Sequence, residues 1–214
     1  MPINPACCLQ PDLPRVPSWP RAAKRINSPA MDTSGADDET LMQAYGAGDL
    51  SAFEALYARH RAGLYRYLLR STRNPHTADD LFQETWSRVV DARARWQPQA
   101  KFTTWLLQIA HNLAVDTHRR QPMHASPEET EAALATLAAN EHEQPERQLS
   151  DFQMRRRLQL AIERLPDEQR HAILLRLEHD LSLDEIADVT GAPRETVKSR
   201  LRYATQRIRE ELDA

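Results

Sequence analysis

The stretch LSLDEIADVTGAPRETVKSRLRYATQRIREEL, Leu181 to Leu212, decides the fold. It divides into a short helix, a three-residue turn and a longer basic helix. Ser182 can N-cap the first helix, and Glu185, three residues on, can reach back as in a capping box. Thr190-Gly191-Ala192 interrupts the apolar period, and Gly191 supplies the positive φ that a tight helix-to-helix turn demands. Pro193 suits the first turn of the next helix, where its missing N–H is no loss. Along that helix Val197, Leu201, Ala204, Ile208 and Leu212 form one apolar stripe at the 3.6-residue period. Arg194, Glu195, Lys198, Arg202, Thr205 and Arg209 share the other side. The basic excess is local: between Pro193 and Arg209, Arg194, Lys198, Arg200, Arg202, Arg207 and Arg209 are opposed only by Glu195. The pattern predicts a helix-turn-helix whose second helix lies in a DNA major groove. An amphipathic helix pair within a bundle, with a solvated charged face, fits the same residues.

The rest of the composition limits what surrounds this unit. A chain of 214 residues holds one or two domains. With only 5 glycines and 6% aromatics, and few β-branched runs, it should be mainly helical. Mean hydropathy is -0.67, and no apolar run approaches the roughly 18 residues that span a bilayer. A net charge of -3 does not advertise nucleic-acid binding, so the distribution of charge has to. Cys7 and Cys8 are adjacent, cannot build a disulfide framework and lack CxxC spacing. We expect a cytoplasmic protein with no metal site and no cofactor.

From Met1 to Ala36 seven prolines and no helical period predict a disordered tail, residues 1–36, with Arg21, Lys24 and Arg25 solvated. Met31 stands directly before an acidic lead-in and is a candidate translation start. Thr40 to Tyr45 reads as a short helix closed by Gly46-Ala47-Gly48. Ser51 with Glu54 forms a second candidate capping box, opening a helix to about Ser71; Thr77 with Asp80 is placed to cap the next. That third helix has Leu81, Phe82, Thr85, Trp86, Val89 and Val90 as its stripe, and Asp79, Asp80, Gln83 and Glu84 on its first turns. Acidic residues there also suit the macrodipole without any partner. A basic loop with Arg93, Arg95, Trp96 and Lys101 leads into FTTWLLQIAHNLAVDTHRR, Phe102 to Arg120. In that helix Trp105, Leu106, Ile109, Ala110 and Leu113 can pack inward, and Gln108, His111, Asn112, Val115, His118 and Arg119 recur on another face. Aromatics beside a basic track suit single-stranded nucleic acid; a core tryptophan and a solvated face suit the residues equally. Residues 121–148, with Glu128, Glu129, Glu131, Glu141, Glu143 and Glu146, read as an acidic flexible linker in which the alanines form at most a transient helix. Residues 149–214 form a four-helix C-terminal unit.

Taken together, ADDLFQETW, KFTTWLLQIAHNLAVDTHRR and LPDEQRHAILLRLEHDLSLDEIADVTGAPRETVKSRL resemble, in order and spacing, the extracytoplasmic-function group of sigma-70 RNA polymerase sigma factors. The resemblance implies an all-α chain: a sigma-2 domain at 37–120, the linker, and a helix-turn-helix sigma-4 domain. It implies core-polymerase contacts at Asp79, Asp80, Leu81, Phe82, Gln83 and Glu84. It implies that Arg95, Trp96, Lys101, Thr104, Trp105, Asn112, Arg119 and Arg120 take the −10 element with a flipped base. Arg194, Glu195, Thr196, Lys198, Ser199 and Arg202 then meet the −35 element in the major groove. It further implies core RNA polymerase, touched at clamp and flap, promoter DNA and an anti-sigma factor as partners, a linker threading the polymerase, and no membrane insertion. The proline-rich tail is not part of the family pattern.

Two other classes remain as alternatives. A dimeric helix-turn-helix repressor would use the first half as a sensor, although no dimer helix follows Leu212. An enzyme could gather His111, His118 and His124 around a metal, but no HExxH-like pattern joins them, and no phosphate loop or nucleophile motif appears. Catalysis is expected to belong to the polymerase.

Overall fold

The computed structural model describes residues 35–120, 130, 132–135 and 148–213, and these contain helices and no strand. The readings made for the proline-rich tail, Met31, Cys7, Cys8, the linker glutamates and His124 lie outside the described residues.

Four helices come first. In α1 (Asp38–Gly46) the Asp37 carboxylate caps the N-terminus, accepting the Thr40 N–H at 2.8 Å. In α2 (Leu50–Thr72) the predicted box at Ser51 and Glu54 gives way to Asp49. Its carboxylate accepts both the Ser51 N–H (2.9 Å) and the Ser51 hydroxyl (2.7 Å). A charged acceptor just upstream outcompetes a neutral hydroxyl for the same N–H groups. In α3 (Pro75–Ala92) a neutral amide takes the place of the expected hydroxyl. Asn74, not Thr77, is the cap, its Oδ1 accepting the Thr77 N–H at 3.0 Å, with Pro75 in the first turn. The N-terminus of α4 (Phe102–Arg120) is satisfied from a distance: Glu39 Oε1 of α1 accepts the Phe102 N–H at 2.7 Å.

Four more helices follow: α5 (Gln148–Glu163), α6 (Asp167–His179), α7 (Leu183–Thr190) and α8 (Arg194–Asp213). Within the expected linker, residues 132–135 are helical, and Thr130 and Leu134 are buried. That is where the alanine-rich run suggested a helix; burial of Leu134 gives it a packed face.

Helices α1, α3 and α4 pack on α2, and α5, α6 and α7 pack on α8. An aromatic cluster fills the first group, with Phe53 and Trp86 edge to face at 5.7 Å and Tyr65 and Phe82 likewise at 5.7 Å. Leu174, Leu175, Ile186, Val189, Val197 and Ala204 fill the second. Each large apolar side chain buried this way stabilises by about 1.5–3 kcal/mol before chain entropy is counted. The groups also meet each other, α2 against α6 and α4 against α7.

Candidate nucleic-acid and polymerase interfaces

In the helix-turn-helix the local chemistry acts as the sequence predicts. Ser182 Oγ accepts the Glu185 N–H (3.3 Å), and Glu185 Oε2 accepts the Ser182 N–H (2.8 Å), so the capping box is closed in both directions. Gly191 ends α7 at φ 63°. Pro193 sits just before α8 rather than in its first turn, and its carbonyl accepts the Thr196 and Val197 N–H groups. Val197, Ala204 and Ile208 are buried, which turns the opposite face outward. Arg194, Glu195, Thr196, Lys198 and Arg202 are exposed on it, and Ser199 is half-buried. Arg194 Nε is 2.8 Å from Asp184, Lys198 Nζ is 3.5 Å from Glu195, and the Arg202 guanidinium lies 4.9 Å over the Tyr203 ring. Such exposed pairs contribute about 0–1 kcal/mol, so a phosphate or guanine edge can displace them. Arg200 does not belong to this row: its guanidinium turns away to Glu168 at 2.5 Å.

A groove of about 680 Å³ opens between the loop after α3 and α4. Arg95, Trp96, Gln97, Gln99, Thr104 and Trp105 line it. Trp96 and Trp105 are 6.2 Å apart, each within 6.4 Å of the fully buried Phe102, so the two half-buried indoles are braced from below. Thr104 is 4% exposed, a floor residue rather than a surface contact, and its hydroxyl has no hydrogen-bond partner. Buried hydroxyls are normally paired, and leaving one bare costs about 1–3 kcal/mol. Gln97 and Gln99 also line the groove; the sequence reading names neither, and their place between Arg95 and Trp105 is the signal that could have found them. Asn112, Arg119 and Arg120 are exposed further along α4.

On α3 the six expected polymerase residues divide by face. Asp80, Gln83 and Glu84 are exposed, Asp79 is half-buried, and Leu81 and Phe82 are core residues at 7% and 5% exposure. The last two can only shape the surface from beneath.

On the polar face of α4 Gln108, Asn112, His118 and Arg119 are exposed, and His111 departs from them. His111 is buried, and it meets His171 of α6 with ring centroids 4.9 Å apart. The Tyr67 hydroxyl lies between them, 3.1 Å from His111 Nδ1 and 3.2 Å from His171 Nδ1. Burial pushes His111 down to about 4 with help from Arg200, and His171 down to about 3 with help from His111 and Arg170, so both rings are neutral at pH 7. Arg170, 1% exposed, donates to the Leu165 carbonyl (3.0 Å), the Ser71 carbonyl (3.3 Å) and Asp167 (2.5 Å). His118 stands 3.1 Å from Asp167. Among the described residues no three His, Cys, Asp or Glu side chains are arranged to hold a metal.

Further polar contacts join the two helix groups. Arg70 Nη1 lies 2.8 Å from Glu178, whose side chain is 8% exposed. Lys101 Nζ lies 2.8 Å from Glu185. Gln108 Nε2 donates to the Asp188 carbonyl at 3.0 Å, and Asp188 stands on the rim of the groove. Gly63 faces His179 so closely that a Cβ would lie 3.0 Å from its Cε1.

Comparison with known proteins brings the two groups under one description. Residues 56–122 match the family model for Sigma-70 region 2, and residues 161–210 match Sigma-70, region 4. The RNA polymerase sigma factor CarQ of Myxococcus xanthus is 33% identical over 79% of this chain and 94% of its own length. The ECF RNA polymerase sigma factor SigE of Mycolicibacterium smegmatis is 34% identical over 82% of this chain and 69% of its own. Among solved structures, the sigma factor RpoE in complex with the anti-sigma factor NepR from Bartonella quintana shares the fold at a TM-score of 0.57, with 19% identity over 76% of this chain and 97% of that one.

Proposed function

This chain belongs to the extracytoplasmic-function group of the sigma-70 family of RNA polymerase sigma factors, and on that footing we propose which of its surfaces do what. Residues 37–120 act as the sigma-2 domain and 149–214 as the sigma-4 domain, with 121–148 as the linker between them and 1–36 as a tail of its own. The factor binds core RNA polymerase, brings it to promoters with −10 and −35 elements, and promotes initiation without catalysis of its own. It works in the cytoplasm; among the described residues no helix is long and apolar enough to cross a membrane.

The observation that carries this reading is that one chain presents two complementary DNA surfaces. The groove of Arg95, Trp96 and Trp105 suits an unstacked base: two indoles offer faces for stacking, and the unpartnered Thr104 hydroxyl offers a hydrogen bond at the floor. Stacking of that kind contributes about 1–3 kcal/mol per base. The exposed row Arg194, Thr196, Lys198 and Arg202 on α8 suits duplex in a major groove, with Arg and Lys reading guanine and Thr196 and Ser199 holding phosphate. Asp80, Gln83 and Glu84 form the exposed part of the polymerase contact, on the outer face of α3. An anti-sigma factor regulates the chain, a reading supported by the solved relative, itself a complex with one.

Co-elution with core polymerase tests this reading. The factor should travel with core at one copy per enzyme, and Asp80→Arg should leave it in the free fraction. A wild-type chain that elutes apart from core while still binding duplex DNA would instead favour a helix-turn-helix repressor.

A further inference from the structure

The groove of Trp96 and Trp105 is held in shape from outside, by the first helix of the chain. We propose that α1 is a splint for the loop of residues 93–101. Gly46 seats one end of that loop and Glu39 the other, so that, on the sigma-factor reading above, both are positioning residues for the base that enters the groove.

Each end of the loop meets α1. At its start, Gly46 packs so closely on Arg93 that a Cβ there would lie 2.7 Å from the Arg93 carbonyl oxygen. One residue back, the Tyr45 ring carries the Arg93 guanidinium at 5.8 Å. At the far end, Glu39 Oε1 accepts the Phe102 N–H at 2.7 Å. That bond reaches the first residue of α4, where a carboxylate also suits the helix dipole. Phe102 is fully buried beneath the groove, 6.4 Å from Trp96 and 5.9 Å from Trp105. Inside the loop the backbone bonds are short-range: the Trp96 N–H donates to the Ala92 carbonyl at 2.9 Å, and the Gln99 N–H to the Gln97 carbonyl at 2.8 Å. Neither bond fixes Trp96 relative to Trp105.

The splint is itself fixed, and its length fits. Asp38 takes Arg59 at 3.0 Å and His60 at 2.7 Å, both from α2, and the His60 ring lies 5.3 Å from Phe102. Leu41, Met42 and Tyr45 are buried on its inner face. Glu39 and Gly46 are seven residues apart, nearly two turns, so they share a face with roughly 10 Å between them. Phe102 follows Arg93 by nine positions, and nine fully extended residues could reach about 30 Å. Helix α1 thus holds the loop ends well inside that reach, and the two indoles stand 6.2 Å apart. A gap set in advance spares an entering base the cost of ordering the loop.

The test uses holoenzyme assembled from core polymerase and each full-length variant. Its probe is a fluorescent single-stranded 12-mer carrying the −10 sequence shared by start sites mapped with the wild-type chain. Glu39→Ala should weaken binding of the 12-mer about tenfold (about 1.4 kcal/mol). Glu39→Gln, whose amide oxygen still accepts the Phe102 N–H, should restore most of it. Gly46→Ala should weaken binding several-fold although alanine is the better helix former, because its Cβ displaces the Arg93 carbonyl. Each penalty should vanish on a 12-mer made abasic at one position, that of the base in the groove, and none should extend to −35 duplex binding or to co-elution with core. The proposal is overturned if both alanine variants bind the 12-mer like the wild type, if Glu39→Gln loses as much as Glu39→Ala, or if the loss persists whichever position is abasic. Should circular dichroism show Glu39→Ala unfolded, Gly46→Ala decides by the same criteria. A wild-type holoenzyme whose start sites share no −10 sequence would count against the sigma-factor reading itself.

Discussion

Replacing Arg170 by Ala should be among the most costly single changes in the C-terminal unit. The side chain is 1% exposed and its guanidinium donates to three acceptors: the Leu165 carbonyl, the Ser71 carbonyl and Asp167. Hydrogen bonds from a charged donor each contribute about 1.5–3 kcal/mol net, and removing one partner of a buried pair costs about 3–5 kcal/mol. The sum is less than additive, because Asp167 keeps His118 at 3.1 Å. Burial alone would raise the Asp167 carboxyl; the Arg170 guanidinium beside it carries it below the usual range instead. In Arg170→Ala that carboxyl should move up, and the chain should lose about 3–5 kcal/mol. Urea unfolding followed by circular dichroism and by tryptophan fluorescence gives the assay, with coincident curves required before a free energy is taken. Arg170→Lys, which keeps the charge but loses the fork, should fall between. A loss under about 1 kcal/mol in Arg170→Ala would show that these three bonds are replaced by water and that the reasoning is wrong.

Other outcomes follow from the same geometry. His111, His171 and His179 are held neutral by burial, with values pushed down to about 4, about 3 and about 4 from 6.5. The unfolded chain therefore binds more protons below pH 6.5, and this contribution to stability is full above that pH and lost as pH falls toward 4. The loss is on the order of 2 kcal/mol per ring at pH 5; a urea midpoint that does not fall between pH 7.5 and pH 5 contradicts it. Ser182→Ala should cost about 1 kcal/mol by leaving the Glu185 N–H without its cap, seen as a lower melting temperature of the chain. Arg202→Ala should weaken −35 binding by about 1–3 kcal/mol and relax the preference at one base pair, read by anisotropy against a panel of single-substitution duplexes.

How far the sequence carries depends on how local the physics is. The capping box at Ser182 and Glu185, the Gly191 turn and the apolar stripe of α8 are decided within a few residues, and each stands as expected. Equally good patterns at Ser51 and Thr77 failed because Asp49 and Asn74 are near enough to compete for the same N–H groups. The cap of α4 could not be read at all, since Glu39 arrives from 63 residues away. His111 shares a helical face with Gln108 and His118, which are exposed; it alone of the three is buried, because His171 of α6 packs against its ring. Thr104 has the opposite history, a polar residue expected at a surface and found on the floor of a groove. Helical period reports the buried face of a helix, and it does not report a single residue such as His111 that a distant helix covers.

The central claim is that this chain directs polymerase to promoters through two separate readers. The most direct measurement is transcription by core polymerase and the purified factor on fragmented genomic DNA, with the 5′ ends of the transcripts mapped. Starts should appear only when the factor is added, and the DNA upstream of them should share one short sequence at −10 and a second at −35. Factor-independent starts, or starts with no shared upstream sequence, would contradict it.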